Sequence, residues 1–105
     1  MTEIIPNAKD EDGYTALILA AYNGHTETAE LLINHGADIN AKDNFGWTAL
    51  IWAAKADHTE TAKLLINHGA DITAKDNKGW TALRWATGNG HTETAELLRR
   101  YGAEE

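Results

Sequence analysis

Histidine and glutamate are the residues of this chain best suited to proton transfer or metal binding, and both recur at a fixed spacing. A His-Thr-Glu triplet begins at each of His25, His58 and His91. Copies of one packed helical unit lie about 10 Å apart, whereas zinc–nitrogen bonds are about 2 Å long. One metal ion therefore cannot be shared by these histidines.

Catalysis is also disfavoured by what the composition lacks. The 105-residue chain contains no cysteine and no serine, so nucleophilic catalysis would need a less usual residue. The glutamates of the three triplets fall in the first turn of predicted helices, where a carboxylate stabilises the helix dipole. Reactive groups that are duplicated in every unit are typical of a scaffold. We predict a non-enzymatic chain with no cofactor and no metal site.

The elements that carry these residues repeat with a period of 33. The turn glycines Gly13, Gly46 and Gly79 mark the period, which indicates one supersecondary unit stacked on copies of itself. We divide the single domain, 1–105, into repeats 7–39, 40–72 and 73–105, preceded by a lead at 1–6 and ended by a polar cap at 96–105.

Each repeat reads as an extended, β-hairpin-like finger followed by two antiparallel helices. A threonine two residues after each turn glycine suits the N-cap of the first helix. The second helix begins at Thr26, Thr59 and Thr92 in the three repeats and stops at a glycine suited to the C′ position. The predicted fold is all-α, a solenoid of three stacked helix-turn-helix units.

These motifs resemble the ankyrin repeat. The family pattern of a turn glycine, a Thr-x-Leu helix start, a histidine before the second helix, a Leu-Leu pair and Gly-Ala-Asp is matched in register in the repeats. The second repeat carries it as Gly46-x-Thr48-x-Leu50, His58, Leu64-Leu65 and Gly69-Ala70-Asp71. The resemblance implies a non-catalytic protein-binding module. It also implies that His25, His58 and His91 are structural, tying a turn to the backbone.

The two ends of the stack differ from the inner repeats. Arg99, Arg100 and Glu105 replace residues that are apolar or uncharged in the other copies, as suits a C-terminal cap with no neighbour. Ile4 and Ile5 are placed to fold back over the N-terminal end. If they do not, that open face is a candidate for self-association.

Differences between the first two repeats indicate where a partner binds. The copies differ at eight of 33 positions, and seven of these lie between the finger tip and the end of the first helix. The fingers and first helices are expected to line the concave face, which is rich in tyrosine and tryptophan, the residues favoured as interface anchors. The predicted contact residues are Asp12, Tyr14, Tyr22, Asn44, Phe45, Trp47, Ile51, Trp52, Lys55, Lys78, Trp80, Arg84 and Trp85.

The predictions for the four tryptophans have an alternative, in which the side chain is packed in the core. Trp52 and Trp85 lie about 200° around the helix from the core leucines and should point away from the core, but they could instead pack against a neighbouring finger. Trp47 and Trp80 precede their helices, so alanine there is expected to weaken binding and leave the melting temperature nearly unchanged.

Charge and hydropathy narrow the class of partner. The net charge of −7 disfavours nucleic acid, which requires a concentrated basic surface, and favours a protein or peptide with a neutral to basic surface. No apolar run approaches the roughly 20 residues that cross a bilayer. We expect a soluble, cytoplasmic monomer.

The sequence therefore predicts a protein-binding module that uses an aromatic-rich concave face. The alternative function is a structural or self-associating repeat unit with no other partner. The near-identity of the first two repeats is typical of an engineered or selected repeat protein, and a recent natural duplication is an alternative origin.

Overall fold

The computed structural model describes residues 5–104, and six short helices alternate with turns through this range. In chain order they are α1 (Ala16–Asn23), α2 (Thr26–Asn34), α3 (Ala49–Lys55), α4 (Thr59–Asn67), α5 (Ala82–Gly88) and α6 (Thr92–Arg100). The helix pairs α1–α2, α3–α4 and α5–α6 fall one in each predicted repeat. This confirms the predicted all-α solenoid.

The first helix of each repeat begins at the predicted threonine. Thr15 Oγ1 accepts a hydrogen bond from the Ile18 amide at 3.1 Å, and Thr48 and Thr81 make the equivalent bond at 3.2 Å. Each threonine satisfies an amide that the helix leaves without a partner. The caps fix where the first helices start.

The second helices end at the predicted glycines. Gly36, Gly69 and Gly102 have positive φ angles of 95° to 100°, a region that costs glycine nothing. Asp57 occupies the inter-helix turn of the second repeat, where the first repeat has Gly24, and it adopts a φ of 62°. Aspartate enters this left-handed region more easily than most residues, so the turn is kept without glycine.

The fingers are loops, and the prediction that they resemble β-hairpins is wrong. Residues 5–104 contain no strand. In the second finger the Asp43 amide bonds the Trp47 carbonyl at 3.0 Å, and the Gly46 amide bonds the Asp43 carbonyl at 3.0 Å. Two bonds close a tight turn without extending into a ladder. Each finger tip is instead held by the adjacent finger tip. The side-chain amide of Asn44 donates to the backbone carbonyl of Glu11 in the preceding tip at 3.0 Å.

The helices stack in two rows, with α1, α3 and α5 in one and α2, α4 and α6 in the other. Leu17, Leu50 and Leu83 are at most 1% exposed and lie in the core. Small alanines on the same helices, among them Ala53 and Ala54, are fully buried, so the first helices approach one another closely. The fingers project from this tightly packed row.

Candidate functional site

Six aromatic rings form a continuous row along the fingers and first helices, which we call the aromatic row. It consists of Tyr14, Tyr22, Trp47, Trp52, Trp80 and Trp85. Ring centroids are 4.9 Å apart for Tyr22 and Trp52, 4.3 Å for Trp52 and Trp47, 4.7 Å for Trp47 and Trp85, and 4.5 Å for Trp85 and Trp80. Tyr14 meets Trp52 edge-on at 6.2 Å. The row crosses both junctions between repeats.

Buried aspartates at the base of the fingers hold the row in place. The Trp52 indole N–H donates to Asp43 Oδ2 at 2.8 Å, while Asp43 Oδ1 accepts from the amides of Phe45 and Trp47 at 2.9 Å. Asp76 makes the same bonds one repeat later, including one from Trp85. One carboxylate thus fixes a finger tip and an indole together.

Trp52 and Trp85 are packed residues, as the alternative interpretation of the sequence proposed. Both are partly buried and contact the core. Trp52 lies between Tyr14 of the preceding finger and Trp47 of its own finger, and Trp85 lies between Trp47 and Trp80. These indoles are therefore partly exposed and act as walls of the surface.

Ile51 is wrong as a predicted contact residue. It is 1% exposed, like Ile18 in the first repeat, and it belongs to the core. The error has a clear cause, because Arg84 occupies the same register in the third repeat and is exposed. The position faces the next repeat, and only the last repeat leaves it open.

Arg84 accordingly lies at the C-terminal end of the stack. Its guanidinium sits 4.3 Å from the ring centroid of Trp80. It lines an open depression of about 760 Å³ together with Lys75, Thr87 and Glu104. Arg84 is separate from the two hollows described next.

The remaining predicted residues form an exposed rim around the aromatic row. Phe45 in the rim is 56% exposed, and Tyr22, itself a member of the aromatic row, is 50% exposed. The rim also includes the exposed side chains of Asp12, Asn44, Lys55 and Lys78. Asn44 has a structural role as well, because its amide bridges two finger tips.

Leu19 is a rim residue that the sequence reasoning missed. It is 43% exposed and stands at the register of Trp52 and Trp85. The signal was present, since its position is one of the eight that distinguish the first two repeats.

Two shallow hollows open on this surface, one on each side of Trp52. The first hollow is lined by Tyr14, Ile18, Leu19, Tyr22 and Trp52. The second hollow is lined by Phe45, Trp47, Trp52, Asn77, Lys78 and Trp85. Each encloses about 200 Å³, and both are lined mainly by apolar side chains.

The first hollow lies in a negative electrostatic environment. Burial raises the pKa of the Tyr14 hydroxyl, and the carboxylates of Asp43, Asp12 and Asp10 raise it further. The second hollow has the Lys78 side chain in its wall. The two hollows thus differ in the charge beside them.

The repeated histidines are structural at the two junctions, as the family resemblance implied. The Nε2–H groups of His58 and His91 donate to the carbonyls of Tyr22 and Lys55, both at 3.0 Å. His25 has no such partner among the described residues. Over the same part of the chain, no group of three His, Asp or Glu side chains is placed to hold a metal ion.

Comparison with known proteins identifies the family. A family model described as ankyrin repeats (3 copies) matches residues 2–76 and 37–105. The chain is 56% identical over 34 residues to ankyrin repeat domain-containing protein 49 of Bos taurus, an alignment covering 32% of this chain and 14% of that protein. It is 46% identical over 37 residues to an ankyrin repeat-containing protein of Schizosaccharomyces pombe, covering 35% and 18%.

The chain therefore spans a small part of the length of these curated relatives, and each alignment covers about one repeat. Between residues 5 and 104, no helix is both long enough and apolar enough to cross a membrane. Ankyrin repeats are generally protein-interaction modules and are generally non-enzymatic. With the family model matching nearly its whole length, this chain belongs to the ankyrin-repeat family.

Proposed function

We propose that this chain is a non-catalytic module that binds a protein segment across the aromatic row and its rim. The observation that carries the proposal is the exposure of Leu19, Tyr22 and Phe45 around hollows whose walls are already packed. Large apolar side chains exposed together mark interaction sites more often than single ones do.

The packed part of the aromatic row lowers the conformational entropy cost of such binding. Interface side chains that must be immobilised cost about 0.5–1.5 kcal/mol each. The indoles of Trp52 and Trp85 are already held by hydrogen bonds to Asp43 and Asp76, so they lose little freedom when a partner arrives. Tyr22 and Phe45 supply the exposed area.

The proposed partner is a protein or peptide with a neutral to basic surface, met in the cytoplasm. The net charge of −7 supports this, since like charges would slow the encounter with an acidic partner. Engineering and duplication both produce repeats that differ at so few positions, and the proposal holds for either origin.

The test compares two double variants in a cross-linking pull-down. Tyr22→Ala with Phe45→Ala should lose most of the proteins captured by the wild-type chain, because both side chains stand on the proposed surface. Leu31→Ala with Tyr101→Ala is the matched control, since these side chains are 59% and 42% exposed elsewhere. Both variants should keep the wild-type melting temperature within a few degrees. Equal capture by the two variants would exclude this surface.

A specific observation also favours self-association as a second candidate function. Leu31 is 59% exposed at the N-terminal end, and Ile5 is 67% exposed, so the Ile5 side chain does not cover that end as predicted. Ile4 lies outside the described residues. The exposed apolar side chains at this end offer a contact surface for a second copy.

Sedimentation equilibrium against concentration separates this candidate from the first. If the N-terminal end associates, wild-type chains should form dimers that Leu31→Lys abolishes. A monomer at all concentrations up to about 1 mM would rule out self-association as the function.

A further inference from the structure

The two hollows beside Trp52 form a pair with one common wall. The Trp52 ring contacts Tyr14 and Tyr22, which line the first hollow, and Trp47, which lines the second. Its indole N–H is fixed by Asp43 at 2.8 Å. The Trp52 ring cannot move toward either hollow without breaking its hydrogen bond to Asp43.

Each hollow has the size and lining to take one large apolar side chain. Both enclose about 200 Å³, and an apolar cavity of about 150 Å³ is enough to hold benzene. The hollows belong to successive repeats, which pack about 10 Å apart. Residues i and i+7 of an α-helix are about 10.5 Å apart along the axis and lie on one face.

The exposed charges at the finger tips beside the two hollows are of opposite sign, while the buried carboxylates of Asp43 and Asp76 are bonded to the indoles of Trp52 and Trp85. Asp10 and Asp12 both act on Tyr14 in the wall of the first hollow, and Asp12 is exposed at the finger tip. Lys78 lines the second hollow, and the exposed Lys55 follows Trp52 by three residues on α3. A partner that fills both hollows therefore meets negative charge at one end and positive charge at the other.

We propose that the occupant is an amphipathic helical segment of another protein with two large apolar side chains at i and i+7. One end of the segment carries a basic residue that faces Asp12, and the other carries an acidic residue that faces Lys78. This inference rests on the proposed protein-binding function and specifies the chemistry of its partner.

A displayed library of helical peptides tests the inference directly. The library varies positions i and i+7 and one flanking position beyond each, with the other positions fixed as an otherwise neutral helix. Selection on the wild-type chain should enrich peptides with large apolar residues at both inner positions. The flanks should carry one basic and one acidic residue, in either order, since a helix can lie in two directions.

A charge reversal at Lys78 supplies the decisive comparison. Lys78→Glu places a carboxylate in the wall of the second hollow, so selection should move toward peptides that are basic at both ends. Affinity for the original mixed-charge peptides should fall by about threefold, the scale of an exposed ion pair. Lys63→Glu is the matched control, because Lys63 is exposed on α4 and the first repeat carries glutamate at that register. It should enrich the same peptides as the wild type.

The outcomes separate this inference from the proposed function. Enriched peptides that need Tyr22 and Phe45 but do not pair one basic flank with one acidic flank, or that do not change with Lys78→Glu, would overturn the inference and leave the binding function intact. No enrichment over the Tyr22→Ala, Phe45→Ala variant would overturn both. Dimerisation of the chain alone that the same variant abolishes would assign the surface to a second copy and overturn the inference.

Discussion

Residues of the same type behave differently at the inner junctions and at the open N-terminal end of the stack. His58 donates to a carbonyl of the preceding repeat, whereas His25 has none to meet among the described residues. Leu31 is 59% exposed, whereas Leu97 at the same register is 6% exposed. Burial in this fold is thus conferred by the adjacent repeat rather than by the residue itself.

The C-terminal end differs from both, because its sequence has changed. Arg84 stands where Ile51 is 1% exposed, and Thr87 stands where Ala54 is fully buried. Polar residues at these positions remove the cost of an apolar surface in water. The C-terminal end is therefore adapted to solvent, while the N-terminal end keeps the apolar residues of an inner junction. We therefore expect any contact between copies to form at the N-terminal end.

The largest effect is expected from exchanging the end residue with its inner counterpart. Ile51→Arg should lower the free energy of unfolding by roughly 4 kcal/mol or more, because it places an unpaired charge inside a junction. Arg84→Ile should change it by about 1 kcal/mol or less, the worth of a lost cation–π contact. Urea denaturation measures both. Equal losses would show that Arg84 is not on an open face.

A smaller loss of stability should follow from removing the Trp52 ring that separates the two hollows. Trp52→Ala should cost about 3 kcal/mol, since it removes three ring contacts and leaves Asp43 Oδ2 without its indole partner. Leu19→Ala, at the same register in the first repeat, should cost about 1 kcal/mol because its side chain is 43% exposed. Thermal unfolding of the two variants is the check. A Trp52 variant as stable as the Leu19 variant would mean that the aromatic row contributes nothing to folding.

The smallest effect concerns the histidines. His58→Ala and His91→Ala should each cost about 1 kcal/mol, the net value of one hydrogen bond between repeats. His25→Ala should cost about 0.3 kcal/mol or less, because its ring has no carbonyl partner between residues 5 and 104. Chemical denaturation of all three variants decides the point. A comparable loss for His25→Ala would place its role within its own repeat, and not between repeats.

The repeat pattern predicted most of the fold because each feature of it is local. The threonine caps and terminating glycines act within one turn of helix, so Thr48 and Gly69 could be assigned from their neighbours alone. The fingers were mispredicted because their bonds run to the adjacent tips. Asn44 bridges to Glu11 across 33 residues, and an extended pattern in one repeat does not reveal this partner.

The candidate site was predicted less well, because exposure there depends on the next repeat. Ile51 varies in type between repeats in the way a contact residue would, yet it is core. Trp47 was expected to be dispensable for stability, but its ring lies against both Trp52 and Trp85. We therefore expect Trp47→Ala to lower the melting temperature, and Phe45 is the better residue with which to probe binding.

The aromatic row also has an optical consequence. It contains all four tryptophans of the chain, and neighbouring indole centroids lie 4.3 to 4.7 Å apart. Transitions of chromophores this close couple as excitons, so the strong far-ultraviolet indole band of the folded protein should appear as a split circular dichroism band that isolated tryptophan lacks. The two indole contacts with Trp47 report on different places, since that to Trp52 is within a repeat and that to Trp85 crosses the second junction. Opening of that junction should change the splitting before the helices melt.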